Sequence, residues 1–295
     1  MVDLNYQNTI NTDEGGQLVQ EGYATQVMDL VTSKSVVEPF LNVWPMNHKV
    51  ENASTITQGA TAYFVNEAQK KSKSTIKFGN FKMELKEIAT MVPFTEDWVK
   101  FATPQTGALI QKAIVDAIVK LYDQSTLGYV VNPWEHTLSV DIPGANIITT
   151  GADFLIKLSN AMGKVEEADF EPNGIAAPLS LKATLRNMRD LNGQPIFQPA
   201  TATEPAYCYG LPIRFSSNMI ATGSPAAKEL IVGDWNQAYK GNEVAIEFKY
   251  FDQCTITLND GTLLNLAEND MVAVRAKVYK AFNVFRTEAF AKIIL

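Results

Sequence analysis

The stretch "AQKKSKSTIKFGNFK", residues 68–82, carries five lysines and no acidic residue, inside a chain that is acidic as a whole. The 295 residues hold 25 Lys and Arg against 32 Asp and Glu, a net charge of −7, so the chain outside these five lysines stands at −12. Positive charge is gathered on one segment that is otherwise patterned as β-strand. Residues 56–67 ahead of it are β-favouring; behind it come Ile76 and Phe78, then Phe81, Met83 and Leu85, with the alternation slipping phase beside Gly79-Asn80. A slip of this kind next to a glycine predicts a β-bulge or bend. Residues 53–92 therefore read as one long two-stranded hairpin with a basic tip. Such a hairpin is marginal alone in water and needs a surface to lie on.

Working outward, residues 18–34 place Val19, Tyr23, Val27, Leu30 and Val31 at helical spacing, behind a first segment as polar as "NYQNTINTDEGGQ". That segment cannot bury enough apolar surface to offset its ordering entropy, so contacts with other molecules are expected to hold it. The clearest helix follows the hairpin: Thr103 can cap it and Pro104 suits its first position. Ala108, Leu109, Ala113, Ile114, Ala117, Ile118, Leu121 and Tyr122 give it an apolar stripe, and it ends near Gly128. A shorter helix is expected at about 152–168. "FEPNGIAAP" then leads into a buried strand, and "LSLKATLRNMRDLNG" into a helix with Leu181, Leu185 and Met188 on one face and Asn192-Gly193 as its stop. From "YGLPIRFSSNMI" onward the pattern is β. No repeat period is present.

Composition narrows the function classes. At 46% hydrophobic and 19% charged the chain is globular, with no apolar run near the ~20 residues a membrane helix needs and no secretory signal at its start. A soluble protein made in the cytoplasm is the expectation. Cys208 and Cys254 lack metal-ligand spacing and read as core residues; His48 and His136 are the only histidines, so a metal centre or a histidine triad has little raw material. No cofactor or metal is expected. "NGQPIF" and "LNDGTLL" lack phosphate-cradle spacing, and Glu166, Glu167, Asp169 and Glu171 read as a solvated helix end.

The ordered series carries a resemblance: a long hairpin leading into "EIATMVPFTEDW", a spine-like helix, "PNGIAAPLSLKATLRNMRDLNGQPIF", "YGLPI", "IVGDW" and "NDMVAVRAKVYKAFNVFRTEAF". Over roughly residues 18–292 it resembles the major capsid proteins of tailed bacteriophages, which have the α+β Hong Kong ninety-seven capsid fold. The resemblance implies an N-terminal arm and first helix (1–34), a peripheral domain (35–52 and 86–140, with a spine helix 104–127) and an extended loop (53–85). It also implies an axial domain (141–223) and a return through the peripheral domain (224–295), with the last strands near the axial domain. It implies a structural, non-enzymatic protein of the virion, assembled in the host bacterial cytoplasm as hexamers and pentamers of an icosahedral head around double-stranded DNA. Expected partners are other copies, a scaffolding protein, a portal, and a protease or decoration proteins; no membrane is involved.

On this reading Lys70, Lys71, Lys73 and Lys77 make intersubunit contacts from the loop tip, each exposed pair contributing about 0–1 kcal/mol, repeated at every interface. The lysines can equally guard an exposed strand edge from aggregation. DNA binding is weaker, since the segment has no arginine and a net charge of −7 repels a polyanion, leaving only weak nonspecific contact. Some members of the family weld their shells with isopeptide bonds from a loop lysine to an asparagine preceding the methionine of the last motif, helped by a glutamate two residues after its arginine. Here those positions are Asp270 and Lys277, so neither chemical role is filled and the crosslink is expected to be absent. Two alternatives stay open: an encapsulin-type compartment of the same fold enclosing proteins, and a soluble enzyme or binding module.

Overall fold

The computed structural model describes residues 35–67, 70, 71, 73–97, 104–149, 153–189, 194, 195, 197, 199, 206–219, 229–241, 244–257 and 261–294. The expected first helix at 18–34 and the Asn192-Gly193 stop lie outside them. In chain order the first eight strands are β1 (Asn42–Trp44), β2 (Val50–Gln58), β3 (Lys77–Glu84), β4 (Lys86–Thr95), β5 (Ile147–Ile148), β6 (Gly174–Pro178), β7 (Ala206–Cys208) and β8 (Leu211–Ser216). They continue as β9 (Glu229–Gly233), β10 (Ala238–Gly241), β11 (Val244–Phe251), β12 (Thr255–Thr257), β13 (Leu263–Asn265), β14 (Met271–Lys280), β15 (Phe282–Val284) and β16 (Phe290–Ile294). Three α-helices are described: α1 (Pro104–Leu127), α2 (Phe154–Glu167) and α3 (Leu181–Asn187).

Two larger sheets organise the body. One has the order β11-β14-β4, with β4 antiparallel to β14 along all ten residues. The other is mixed and six-stranded, β5-β16-β9-β6-β8-β7. Its central strands "GIAAP" and "ELIVG" are buried at every residue, because cores lie on both of their faces. On one side Ala176 and Ile231 join the buried face of α1, Val36, Trp235 and Phe290. On the other Ile175, Ala177, Leu230 and Val232 pack on Leu158, Ala161 and Val165 of α2 and on Leu181 and Leu185 of α3.

Helix α1 starts at Pro104, as the sequence predicts, but its stripe is turned. Ile114, Ile118 and Tyr122 are buried with Val115, Val119 and Leu127, while Ala113, Ala117 and Leu121 are exposed. The helix is apolar over more than one face, and at 100° per residue the β-branched row one position on is the row that meets β14 and β4. Its end is set by Gly128 at φ 80°: the Tyr129 amide donates to the Gln124 carbonyl at 2.8 Å and the Gly128 amide to Ser125 at 3.1 Å. A Cβ there would sit 2.8 Å from Val140 Cγ2, so both backbone and space call for glycine.

Helix α3 stops at Asn187, with Met188 already extended, so Met188 packs on the core from beyond the helix rather than from its face. Cys208 is buried, which pushes its thiol up to about 11; Cys254 is only half-buried, before β12. The 166–171 carboxylates are exposed around the end of α2, where Lys164 pairs with Glu167 at 2.6 Å. Among the described residues no helix is long and apolar enough to cross a membrane, and no three His, Cys, Asp or Glu side chains are grouped to hold a metal ion.

Candidate assembly interface

The hairpin is β2 paired antiparallel with β3, from Val50 opposite Glu84 to Gln58 opposite Lys77. It is shorter than the expected 53–92: at Leu85 the chain leaves it, and β4 pairs with β14 instead. Glu84 marks the changeover. Its carboxylate takes Lys86 at 2.5 Å and Lys82 at 2.9 Å, and these bonds hold its pKa down to about 2.

The expected bulge at Gly79-Asn80 is not present either. Gly79 and Asn80 pair regularly with Thr55 and Ser54, and the one register shift in the hairpin falls between Ile56 and Gln58. What changes along β3 is the face its apolar residues serve. Phe81 and Met83 point into a small core with Met46 and Ala281, whereas Phe78, of opposite parity, points away. Phe78 is 70% exposed and Phe81 5%, on one continuous strand. Ile56, directly opposite Phe78, and Ile76 are exposed on the same outer half. The sequence therefore encodes two apolar faces, and among the described residues one is buried in the body and the other exposed.

The root is fastened on several sides. The Phe81 ring lies 5.4 Å from Trp44, 5.7 Å from Tyr239 and 5.6 Å from Phe285, all in tilted or edge-on contacts. Backbone carbonyls of the hairpin accept from side chains of the body: Lys82 from Asn283 Nδ2 at 2.6 Å, Glu84 from Trp134 Nε1 at 3.1 Å and Ile56 from Arg286 Nη2 at 3.0 Å. A groove lined by Thr55, Phe81, Glu135, His136, Asn283 and Arg286 runs beside this root. Beyond Gln58 the described residues of the tip form no strand, although "TAYFV" is β-favouring; Thr61 donates its amide to Ser74 Oγ at 2.8 Å, and Phe64 is fully exposed. Lys70, Lys71, Lys73 and Lys77 are all exposed.

Asp270 and Lys277 sit on β14 and its approach, at opposite ends and of opposite parity. Asp270 is exposed with φ 50°, and its carbonyl accepts the Glu96 amide at 2.9 Å. Lys277 pairs with Glu87 at 3.3 Å and lies 4.7 Å from the Tyr279 ring centre; its bonds to Tyr279 and Glu87 raise its pKa, which keeps it an ammonium rather than a base. The structure brings neither residue to the hairpin tip of its own chain. Sequence reading missed the anchoring side chains Trp134, Asn283 and Arg286. A polar residue in an apolar run, as Asn283 is in "KAFNVF", was the available signal.

Comparison with known proteins closes the question of family. The model of the phage capsid family matches residues 15–294. The major capsid protein of Staphylococcus phage 80alpha is 24% identical over 284 residues, covering 95% of this chain and 85% of that protein. Among solved structures, a chain of Microbacterium phage Oxtober96 superposes with a TM-score of 0.72 at 21% identity, covering 89% of this chain and 90% of that one. The capsid of a native GTA particle gives a TM-score of 0.62 at 14% identity, with 88% and 89% covered. These matches agree with the Hong Kong ninety-seven fold and favour the phage reading over the encapsulin one. With a family model spanning nearly its whole length, the chain belongs to the phage capsid family.

Proposed function

We propose that this phage major capsid protein assembles as hexamers and pentamers of an icosahedral head around double-stranded DNA, with the hairpin of each copy lying on its neighbour. The observation that supports this most is the second apolar face of β3. Phe78, Ile56 and Ile76 stand exposed on a hairpin whose other face is packed, as expected of a strand pair whose remaining cover comes from another molecule. A scaffolding protein, a portal and a protease or decoration proteins are the further partners we infer, with no catalytic role for the shell protein. The domain division also stands as our reading: an arm at 1–34, an extended loop at 53–85, a peripheral domain around α1 and β14, and an axial domain at 141–223. The last strands fit this division, since β9 and β16 belong to the six-stranded sheet of α2 and α3.

The basic tip has a complement on the same chain. Residues 250–274 contain Asp252, Asp260, Glu268 and Asp270 and no lysine or arginine. Asp252, Glu268 and Asp270 gather, with Glu96, at one end of the β11-β14-β4 sheet. We take that end of a neighbouring copy as the landing point of Lys70, Lys71 and Lys73. An aspartate offers an amine no amide leaving group to displace, and Lys277 is held as an ammonium, so the contact is a set of ion pairs. Boiled denaturing gels of mature particles are accordingly expected to show a single band near 32.5 kDa. A ladder of multimers carrying lysine crosslinks would refute the noncovalent reading.

A further inference from the structure

The helices over the six-stranded sheet carry their charge in two separate groups. From Val165 to Glu171 the chain holds Glu166, Glu167, Asp169 and Glu171 and no cation; from Pro172 to Arg189 it holds Lys182, Arg186 and Arg189 and no carboxylate. Strand β6, buried at every residue, separates them. Helix α2 packs on β16, β5 and β9, and α3 on β6, with Lys182 Nζ 5.6 Å from the centre of the Phe215 ring of β8. The carboxylates thus lie where α2 returns to the start of β6, and the cations on the helix that leaves its other end.

Both groups stand on firm supports. Asp169 has φ 62°, its amide donates to the Glu166 carbonyl at 3.0 Å and the Phe170 amide to the Val165 carbonyl at 3.2 Å. The Phe170 ring then packs against the cores on both faces of the sheet. Lys182 and Arg186 share one face of α3, whose other side buries Leu181 and Leu185; Arg189 follows just beyond the helix, and Leu179 is exposed just ahead of it. Within the chain the charges stay largely unmatched. Glu167 pairs with Lys164, but among the described residues Glu166, Asp169 and Glu171 have no cation and Arg186 and Arg189 no carboxylate, and all five are exposed.

We propose that the basic face of α3 is a docking surface for the acidic end of α2 on a second copy of this chain. Opposite charges held apart on one rigid surface are complementary to the same pair on another copy, so each subunit offers one group and receives the other. Such a contact joins two different patches, head to tail, and a head-to-tail contact repeated by a closing rotation makes a ring. The inference rests on the reading of hexamers and pentamers given above, and it uses none of the residues assigned to the lysine tip or its landing point.

Exchanging charges between two variants tests it. Arg186→Glu with Arg189→Glu makes both patches acidic, and Glu166→Lys with Glu171→Lys makes both basic. All four positions are exposed, and Asp169, whose left-handed backbone suits aspartate, is left in place, so thermal unfolding of each unassembled variant is expected to match the wild type. Native mass spectrometry of the assembling full chain is expected to show six- and five-membered rings for the wild type. Either variant alone is expected to give at least about tenfold fewer, because like charges then face each other. Mixed one to one, the variants restore six-membered rings holding three copies of each. Five-membered rings, which must seat two copies of one variant side by side, stay absent. Wild-type ring yield from either variant alone, or a mixture that recovers no rings or only dimers, overturns the docking surface while leaving the assembly reading intact; a wild type that forms no rings overturns both. Should a double variant fail to fold, Arg186→Glu and Glu166→Lys alone are mixed in its place, with the same readings.

Discussion

Phe81→Ala is expected to cost the isolated subunit about 3–5 kcal/mol, and Phe78→Ala, on the same strand, less than about 0.5 kcal/mol. The first removes a ring that touches Trp44, Tyr239 and Phe285 and leaves a cavity at the hairpin root. The second removes a ring that is 70% exposed in the subunit. In assembly the order of sensitivity changes. If a neighbour covers Phe78, Phe78→Ala lowers shell yield although the subunit is as stable as before, and Phe78→Asp abolishes it. Urea unfolding of unassembled subunits and sedimentation of the products measure the two effects separately. Full shell yield from Phe78→Asp would mean that this face is never covered.

Charge reversal at the tip has an equally large expected effect. Lys70, Lys71 and Lys73 are exposed and touch no core, so changing all three to glutamate leaves subunit unfolding within about 0.5 kcal/mol of wild type. Three charges then change sign at every interface, a swing of six units, and attraction becomes repulsion. Few or no shells are expected, and wild-type assembly weakens with salt as exposed pairs are screened. Glu268→Lys with Asp270→Lys restores shells to the triple variant if the acidic end of the sheet is the landing point. A triple variant that assembles like wild type reduces the lysines to guards of an open strand edge.

Much of this was legible in the sequence, and the misreadings share a cause. Pro104 and Gly128 bracket α1 because a ring without an amide hydrogen and a residue free at positive φ suit a helix's two ends, whatever surrounds them. The buried runs "GIAAP" and "ELIVG" likewise declare strands covered on both faces. Where a residue's environment comes from elsewhere, the pattern misleads. The change of phase at Gly79-Asn80 looked like a bulge because one strand was assumed to have one apolar face, when Phe81 is buried in its own subunit and Phe78, of opposite parity, stands exposed. The stripe on α1 was set a row off because alanine and leucine count as apolar whether or not a partner is present. The hairpin and its exposed lysines were legible, but not its anchoring by Trp134, Asn283 and Arg286. Those bonds cross 50, 201 and 230 positions of chain, and no local spacing announces them.

The hairpin is expected to lie half on its own subunit and half on the next. Electron cryo-microscopy of shells assembled from the purified chain tests it in one map. The expected result is a closed icosahedral shell in which each hairpin crosses to a neighbouring copy, with Phe78, Ile56 and Ile76 buried against it and the lysine tip beside its Glu268 and Asp270. A chain that stays monomeric at micromolar concentration, or shells in which the Phe78 face of the hairpin meets only solvent, would contradict it.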